Sequence, residues 1–557
     1  MSNRNELDRR NFLKSLLLGT GTVFATPFDI YLSNVLLHYL QRGNALAAGD
    51  VQAFADKKFI HFSMFGGATR WNWDLPLTPN DGDTTGMANQ MLITKMTTNS
   101  GQITGGSYAT TKIGNFNMPY MWSGMMPTPT GNVPMALLAQ NMLTMRGIDL
   151  QVDGHDSNRY RQTVPTSGTS LLGIVAEQGT TPIPATAFFA GGNFYFSSKG
   201  VSLVDGSGGS PLSTFMNPFS GGSSLTSVSN SSVESALDRV MNIMSASSTG
   251  KHKYMPNTYT QRKNAKDLMK KDFGNLQGTY DTLKAKYQNL ILRSFTDSSC
   301  FLEGVEDREL RSQPGDPRHG FYTSAGRRIY IPGDLRNIAD SSTNVHLLAE
   351  SMAVAEYMIT QGFTSSVSLA TSEFTNMMTS GGYFEDNNAA AGSRDHFSMD
   401  SHGTGAYAGL LMQTKGYRAY SACLYELITK LKEVPTSYGN LFNQTAIAVT
   451  SDFNRAPRND GFGTEHGYAG SSYTIYSGAI PELTVVGNVT DSKDYYCGNW
   501  HAAPVDELGG RRALIGNVAS TFATVLDLKS PTPNDASFVM KVNGQVKSAT
   551  KGPKNVA

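Results

Sequence analysis

The stretch TSDFNRAPRNDGFGTEHGY, Thr450 to Tyr468, places Asp452, Arg455, Arg458, Glu465 and His466 directly behind the apolar run TAIAV. Carboxylates and an imidazole where a strand runs out can hold a cation or move a proton, and the arginines beside them can neutralise an anionic substrate or pair with the carboxylates. A second cluster, GSRDHFSMDSHGTG, carries Asp395, His396, Asp400 and His402. Asp400 and His402 stand two residues apart, which lets a turning loop aim both at one cation, although solvated loops and caps use the same spacing. A third stretch, QVDGHD, holds Asp153, His155 and Asp156. His155 reads there as a ligand, an acid/base or a plain loop residue. Oxygen and imidazole donors in this mixture suit zinc, manganese, calcium or iron better than a thiolate-selected metal. The sequence has no Gly-x-Ser-x-Gly elbow, no phosphate-cradling P-loop and no dinucleotide fingerprint, so serine-hydrolase and nucleotide-dependent chemistry lack their signatures.

These clusters need elements to position them. KKFIHFSMFGG reads as a buried strand from Phe59 to Phe65, stopped where Gly66 and Gly67 let the backbone turn. VPMALLAQNMLTMRGIDL predicts a helix and then a strand near Leu143 to Ile148, with Asp153, His155 and Asp156 in the loop after it and the next helix from about Ser167. From Gly191 to Ser232 the chain is rich in Gly and Ser, and residues 233–296 predict an antiparallel helical pair. The second half alternates more regularly. A helix ends at Gly362, FTSSVSLA is a strand, a long helix from Ala406 is broken or strained at Gly416, and TAIAVT is the next strand. Such alternation predicts an α/β fold, a largely parallel sheet flanked by helices on both faces, with ligands outside the carboxyl ends of the strands. The loops Gly66–Asp74, Asp153–Asn158, Thr371–His402 and Ser451–His466 should then meet at one edge. His61, inside an apolar strand, is expected to be structural.

The 557 residues carry 46 basic and 45 acidic side chains, a net charge of +1, which disfavours nucleic acid as a partner. Only 16% of the residues are charged, a balance typical of exported proteins. Cys300, Cys423 and Cys497 show no metal or redox spacing, allow at most one disulfide and read as buried small apolar residues. DRRNFLKSLLLGTGTVFATPF sets Arg9 and Arg10 before Phe12, Leu13 and Lys14 and a short apolar region, and resembles a twin-arginine export signal. Ala45 and Ala47 suit a cleavage site. Residues 1–47 are therefore expected to be the signal segment and 48–557 one α/β domain with an insertion at about 191–340, in the periplasm or secreted. No later run is apolar enough for a transmembrane helix.

Taken together, the export signal, FSMFGGATRWNWD, MRGIDLQVDGHDSNRYRQT, SVSLA, DSHG, AVTSDFNRAPRNDGFGTEHGY and the ending NVASTFATVLDL resemble domain-of-unknown-function family 1501, an exported family related to the alkaline phosphatase and sulfatase superfamily. The resemblance covers most of the chain outside the insertion. It implies an alkaline phosphatase-like fold and a divalent metal, zinc, manganese or calcium, surrounded by Asp400, His402, Asp452 and His466. Phe453 stands where that superfamily has a further histidine, and only Thr69 offers a hydroxyl near the first strand. The implied activity is metal-dependent hydrolysis of a small or polymer-borne phosphate or sulfate ester, with Arg455 or His155 stabilising an oxyanion. The alternative is a non-catalytic envelope or extracellular binding protein on the same fold.

Overall fold

The computed structural model describes residues 56–64, 66–80, 90–100, 102–165, 168–179, 181, 183–188, 195–198, 203–205, 278–294, 318, 320–323, 326–329, 345–370, 405–459, 461, 463–491 and 500–549. All belong to one of the chain's two compact units, the one formed by Val51–Leu212 and Leu276–Ala557. Residues 1–47, expected to be a signal segment, most of the Gly/Ser-rich insertion, Asp395, His396, Asp400, His402, Cys300 and Cys497 lie outside the described residues.

The centre is a mostly parallel sheet. In chain order its strands are β1 (Lys58–Met64), β2 (Met142–Asp149), β3 (Ile183–Phe188), β4 (Leu203–Asp205), β5 (Thr364–Ala370) and β6 (Thr445–Ser451). A hairpin of β7 (Asn454–Pro457) and β8 (Thr464–Gly467) stands apart from the sheet, and β9 (Ser471–Tyr476), β10 (Thr484–Gly487) and the short β11 (Ala513–Leu514) complete it. Across the sheet the order is β4-β3-β5-β1-β6-β9-β2-β10, with β11 beside β2. Only β9 runs antiparallel to its neighbours. The sequence therefore predicts the α/β class and the dominance of parallel pairing correctly.

The helices are α1 (His155–Thr163), α2 (Leu171–Ala176), α3 (278–294), α4 (Val345–Thr360), α5 (Ala406–Glu433) and α6 (Ile515–Leu526). They cover both faces, as the side-chain alternation of β1 shows. Phe59 meets Phe522 of α6 edge-on, with ring centroids 4.6 Å apart. Phe62, on the opposite face, meets Tyr420 of α5 at 5.9 Å. All seven residues of β1 are buried, the polar Lys58, His61 and Ser63 among its apolar side chains. That histidine, His61, is indeed structural. Its Nδ1 lies 3.1 Å from Ser368 Oγ and its Nε2 2.9 Å from Thr450 Oγ1, so both neighbouring strands satisfy it.

Three local expectations are corrected. The helical pattern before β2 is a seven-residue 3₁₀ segment, Met135–Asn141, squeezed between Pro134 and a strand that must start at Met142. Residues Asp153 to Asn158 do not form a loop throughout, because α1 begins at His155. Gly416 neither breaks nor ends α5, which runs unbroken for 28 residues; its burial supplies packing that outweighs the roughly 1 kcal/mol helix penalty of one glycine. Cys423, on α5, is a buried free thiol as expected, and burial pushes its pKa up.

Candidate functional site at the carboxyl edge

Parallel pairing brings the carboxyl ends of β1 and β6 side by side, with Met64 in register with Ser451. After β1 the backbone turns at Gly66 and Gly67, whose φ angles are 101° and 65°. Both are in the region that favours glycine. This turn aims two amides at the first residue past β6. Gly66 N donates to Asp452 Oδ2 at 3.1 Å and Gly67 N to Asp452 Oδ1 at 2.5 Å. Phe453 N adds a third bond, to Oδ1 at 3.3 Å. The carboxylate is fully buried, and these three N–H dipoles offset the cost of burying its charge.

The fourth acceptor direction of Asp452 belongs to His155, whose Nδ1 bonds to Oδ2. A carboxylate only accepts, so Nδ1 carries the hydrogen and the ring's lone pair lies at Nε2. His155 opens α1 because the chain leaves β2 through Gly154, at φ 100°, and Asp156 in the first turn complements the helix dipole. One helical face then grips the edge at two points. Gln162, two turns after His155, donates from Nε2 to the carbonyls of Ser451 and Asp452, the second at 2.9 Å.

A second carboxylate–imidazole pair lies beside the first. The β7–β8 hairpin sets His466 opposite Arg455, and His466 Nδ1 is 2.7 Å from Asp153 Oδ1. The two imidazoles are 5.2 Å apart and nearly perpendicular, at 76°. Phe453 packs against both, 4.9 Å from His155 and 4.2 Å from His466. Both histidine side chains remain accessible, 29% and 26% exposed, whereas Asp452 is closed off.

Arg455 is fully buried. Its Nε donates to Gly67 O at 2.9 Å and its Nη2 to Gly66 O at 2.5 Å, and its guanidinium sits 4.8 Å from the Phe453 ring centre. In this arrangement Arg455 clamps the glycine turn that holds Asp452. Glu465 lies 3.8 Å from Arg458 at the rim. Asp74, from the first loop, is not at the edge: it is buried against Arg70, with Nε to Oδ1 at 2.6 Å, and accepts from Thr474. Thr69 is buried and its hydroxyl accepts from Asn72.

The structure brings Asp452, Arg455, His155 and His466 together from two of the four loops, with Gly66 and Gly67 of a third. Asp400 and His402 lie outside the described residues. Asp452 was expected as a metal ligand, but its four acceptor directions are filled, and here it orients His155. His466 and His155 each have the carboxylate-backed Nδ1 typical of metal-binding imidazoles. Among the described residues no group of three or more His, Cys, Asp and Glu side chains is arranged to hold a metal ion. Sequence reasoning placed Gly66 and Gly67 at this edge only as a turn, and missed Gln162 as part of the site. Gln162 would have followed from placing the helix start at His155. Compared with known protein families, curated proteins and solved structures, the chain matches none.

Proposed function

We propose that this edge hydrolyses a phosphate or sulfate ester, in an exported, periplasmic or secreted protein of the kind that the resemblance to family 1501 implies. The observation that carries the reading is the buried Asp452 carboxylate, held by three amides and turned onto His155. A buried anion bonded to Nδ1–H fixes the tautomer and stabilises the imidazolium that forms when Nε2 takes a proton. His155 is accordingly the general base that activates a water, since Thr69 is not placed to attack. The first-turn amides and dipole of α1 favour the anionic group of the ester. Arg455 acts through the Gly66–Gly67 turn rather than on substrate.

The reading includes a divalent metal, zinc, manganese or calcium. His466 fits as a ligand because a hydrogen bond from its Nδ1 to Asp153 makes Nε2 the lone-pair nitrogen. Asp400 and His402 would complete the set, with Asp452 in the orienting role. When bound, the metal would polarise the ester. One observation favours the alternative, a non-catalytic binding protein on the same fold: the Phe453 ring packs against both imidazoles. Metal analysis of the folded protein, with His402→Ala and His466→Ala in parallel, separates the two. The hydrolase reading expects bound metal in the parent and less in both variants; a parent without metal overturns it.

No helix among the described residues is long and apolar enough to cross a membrane.

A further inference from the structure

The helix that carries His155 has no apolar face to hold it in place. In HDSNRYRQT the single large hydrophobic side chain is Tyr160, which is 40% exposed and packs on Phe196, with ring centroids 5.9 Å apart. Helices ordinarily keep their position through an apolar stripe, so on α1 polar contacts must do this. Two of them come from its opposite ends. His155, the first residue, bonds to the Asp452 side chain, and Gln162, in the last turn, donates from Nε2 to the carbonyls of Ser451 and Asp452.

Gln162 is buried, and the carbonyls it meets belong to the last residue of β6 and the first one past it. The other polar groups of Asp452 are tied elsewhere: its N–H donates to Met64 O at 3.3 Å, and its carboxylate accepts from the Gly66, Gly67 and Phe453 amides. Gln162 completes the set at the main-chain oxygen. A side-chain amide that faces two carbonyl oxygens must present its NH₂ to them, which settles its orientation. Asp452 is thus bonded twice to one helix, through its side chain at His155 and through its backbone at Gln162. Seven residues of helix separate the two grips by about 10 Å. Two grips so far apart fix the direction of α1 and its distance from the strand end, whereas one grip leaves it free to pivot.

We infer that Gln162 is the positioning residue for the base: it acts on His155 through the Asp452 main chain and through α1, and not on substrate. The inference rests on the reading of His155 as the base of an ester-hydrolysing site. Without the Gln162 donor, two buried carbonyls lose a partner and α1 loses one of its two grips on Asp452. The His155 ring then drifts from the carboxylate, and with it goes the tautomer that puts the lone pair on Nε2. Misplacing a catalytic group by about 1 Å costs on the order of 10²-fold in rate. The loss falls on kcat, because the Nε2 lone pair acts in the transition state and not in holding the ester.

The test is the downfield proton spectrum of the full-length protein, in which an imidazole Nδ1–H bonded to a carboxylate stands apart, with the His155 signal assigned by its loss in His155→Ala. Three variants are compared with the parent. Gln162→Met keeps the length of the side chain and removes the donor, and Gln162→Asn keeps the amide and withdraws it by one methylene. Thr163→Val is the control, since its hydroxyl bonds only within α1, to the carbonyls of Arg159 and Tyr160. The expected result is a His155 signal in the parent and in Thr163→Val, lost in both Gln162 variants. On an aryl phosphate or sulfate, kcat should fall about 10²-fold in those two, with KM within about twofold of the parent. A signal and a kcat unchanged in either folded Gln162 variant overturn the assignment, as does a signal lost equally in Thr163→Val. A parent without the signal also overturns it. A parent that shows the expected signals and turns over neither ester overturns the ester reading and leaves Gln162 as the residue that holds His155 in place.

Discussion

Gly67→Ala is the smallest change that reaches the Asp452–His155 pair without touching either residue. Gly67 has φ +65°, and a Cβ built there lies 2.6 Å from Phe453 Cδ2 and 2.9 Å from Arg455 Nε. Neither neighbour can yield easily, since both side chains are fully buried. The left-handed backbone alone costs a non-glycine residue about 1–2 kcal/mol. Overpacking a rigid interior adds about 1–3 kcal/mol, so the total is roughly 2–5 kcal/mol. Gly114→Ala is the control: its φ is +58°, yet nothing lies within 4 Å of the added Cβ. The control should lose only the backbone contribution, about 1–2 kcal/mol. Urea unfolding of both variants measures the difference, and in Gly67→Ala turnover should fall as well because the displaced turn releases Asp452. Equal destabilisation by the two substitutions would refute the argument that Phe453 and Arg455 lock this turn.

Three further outcomes follow from buried polar groups. Burial lowers the pKa of His61 from 6.5 to about 3, so the unfolded chain takes up a proton first as pH falls, and stability is lost between about pH 6.5 and pH 3. At about 1.4 kcal/mol per pH unit over that window the loss approaches 5 kcal/mol, and urea titrations of the parent against His61→Gln should show a flatter profile in the variant. Asp452→Asn should lower turnover on the order of 10²–10⁴-fold by releasing the His155 tautomer. Asp153→Asn, at a side chain 58% exposed, should lower it less, as steady-state rates would show. Lys58 is buried with no partner for its ammonium, and burial lowers its pKa from 10.5 to about 8. Lys58→Met should stabilise the protein at pH 7 by about 1–3 kcal/mol and abolish the rise in stability that the parent shows between about pH 8 and pH 10.5.

The sheet was legible because its strands carry strong local signals. β1 and β6 are short, fully buried stretches rich in apolar residues that stop at glycines or at a polar loop, and their parallel pairing follows from the helices between strands. Asp452 was legible for the same reason, as the first polar side chain beyond β6 able to carry chemistry. His155 was harder. HDSNRYRQT has no apolar stripe, so periodicity hides the helix, and only its contacts with the β6 end give that polar face a use. The role of Arg455 was hidden too, since an arginine beside a carboxylate looks like an anion contact until its carbonyl partners, some 390 residues upstream, are in place.

The central claim, that His155 works as a base oriented by Asp452 on an anionic ester, is tested most directly by steady-state turnover. Folded, metal-supplemented full-length protein is assayed on an aryl phosphate and an aryl sulfate, with His155→Ala alongside. The account predicts turnover of at least one ester by the parent and a fall of about 10²-fold or more in the variant. A parent inactive on both esters, or a His155→Ala protein as active as the parent, would contradict it.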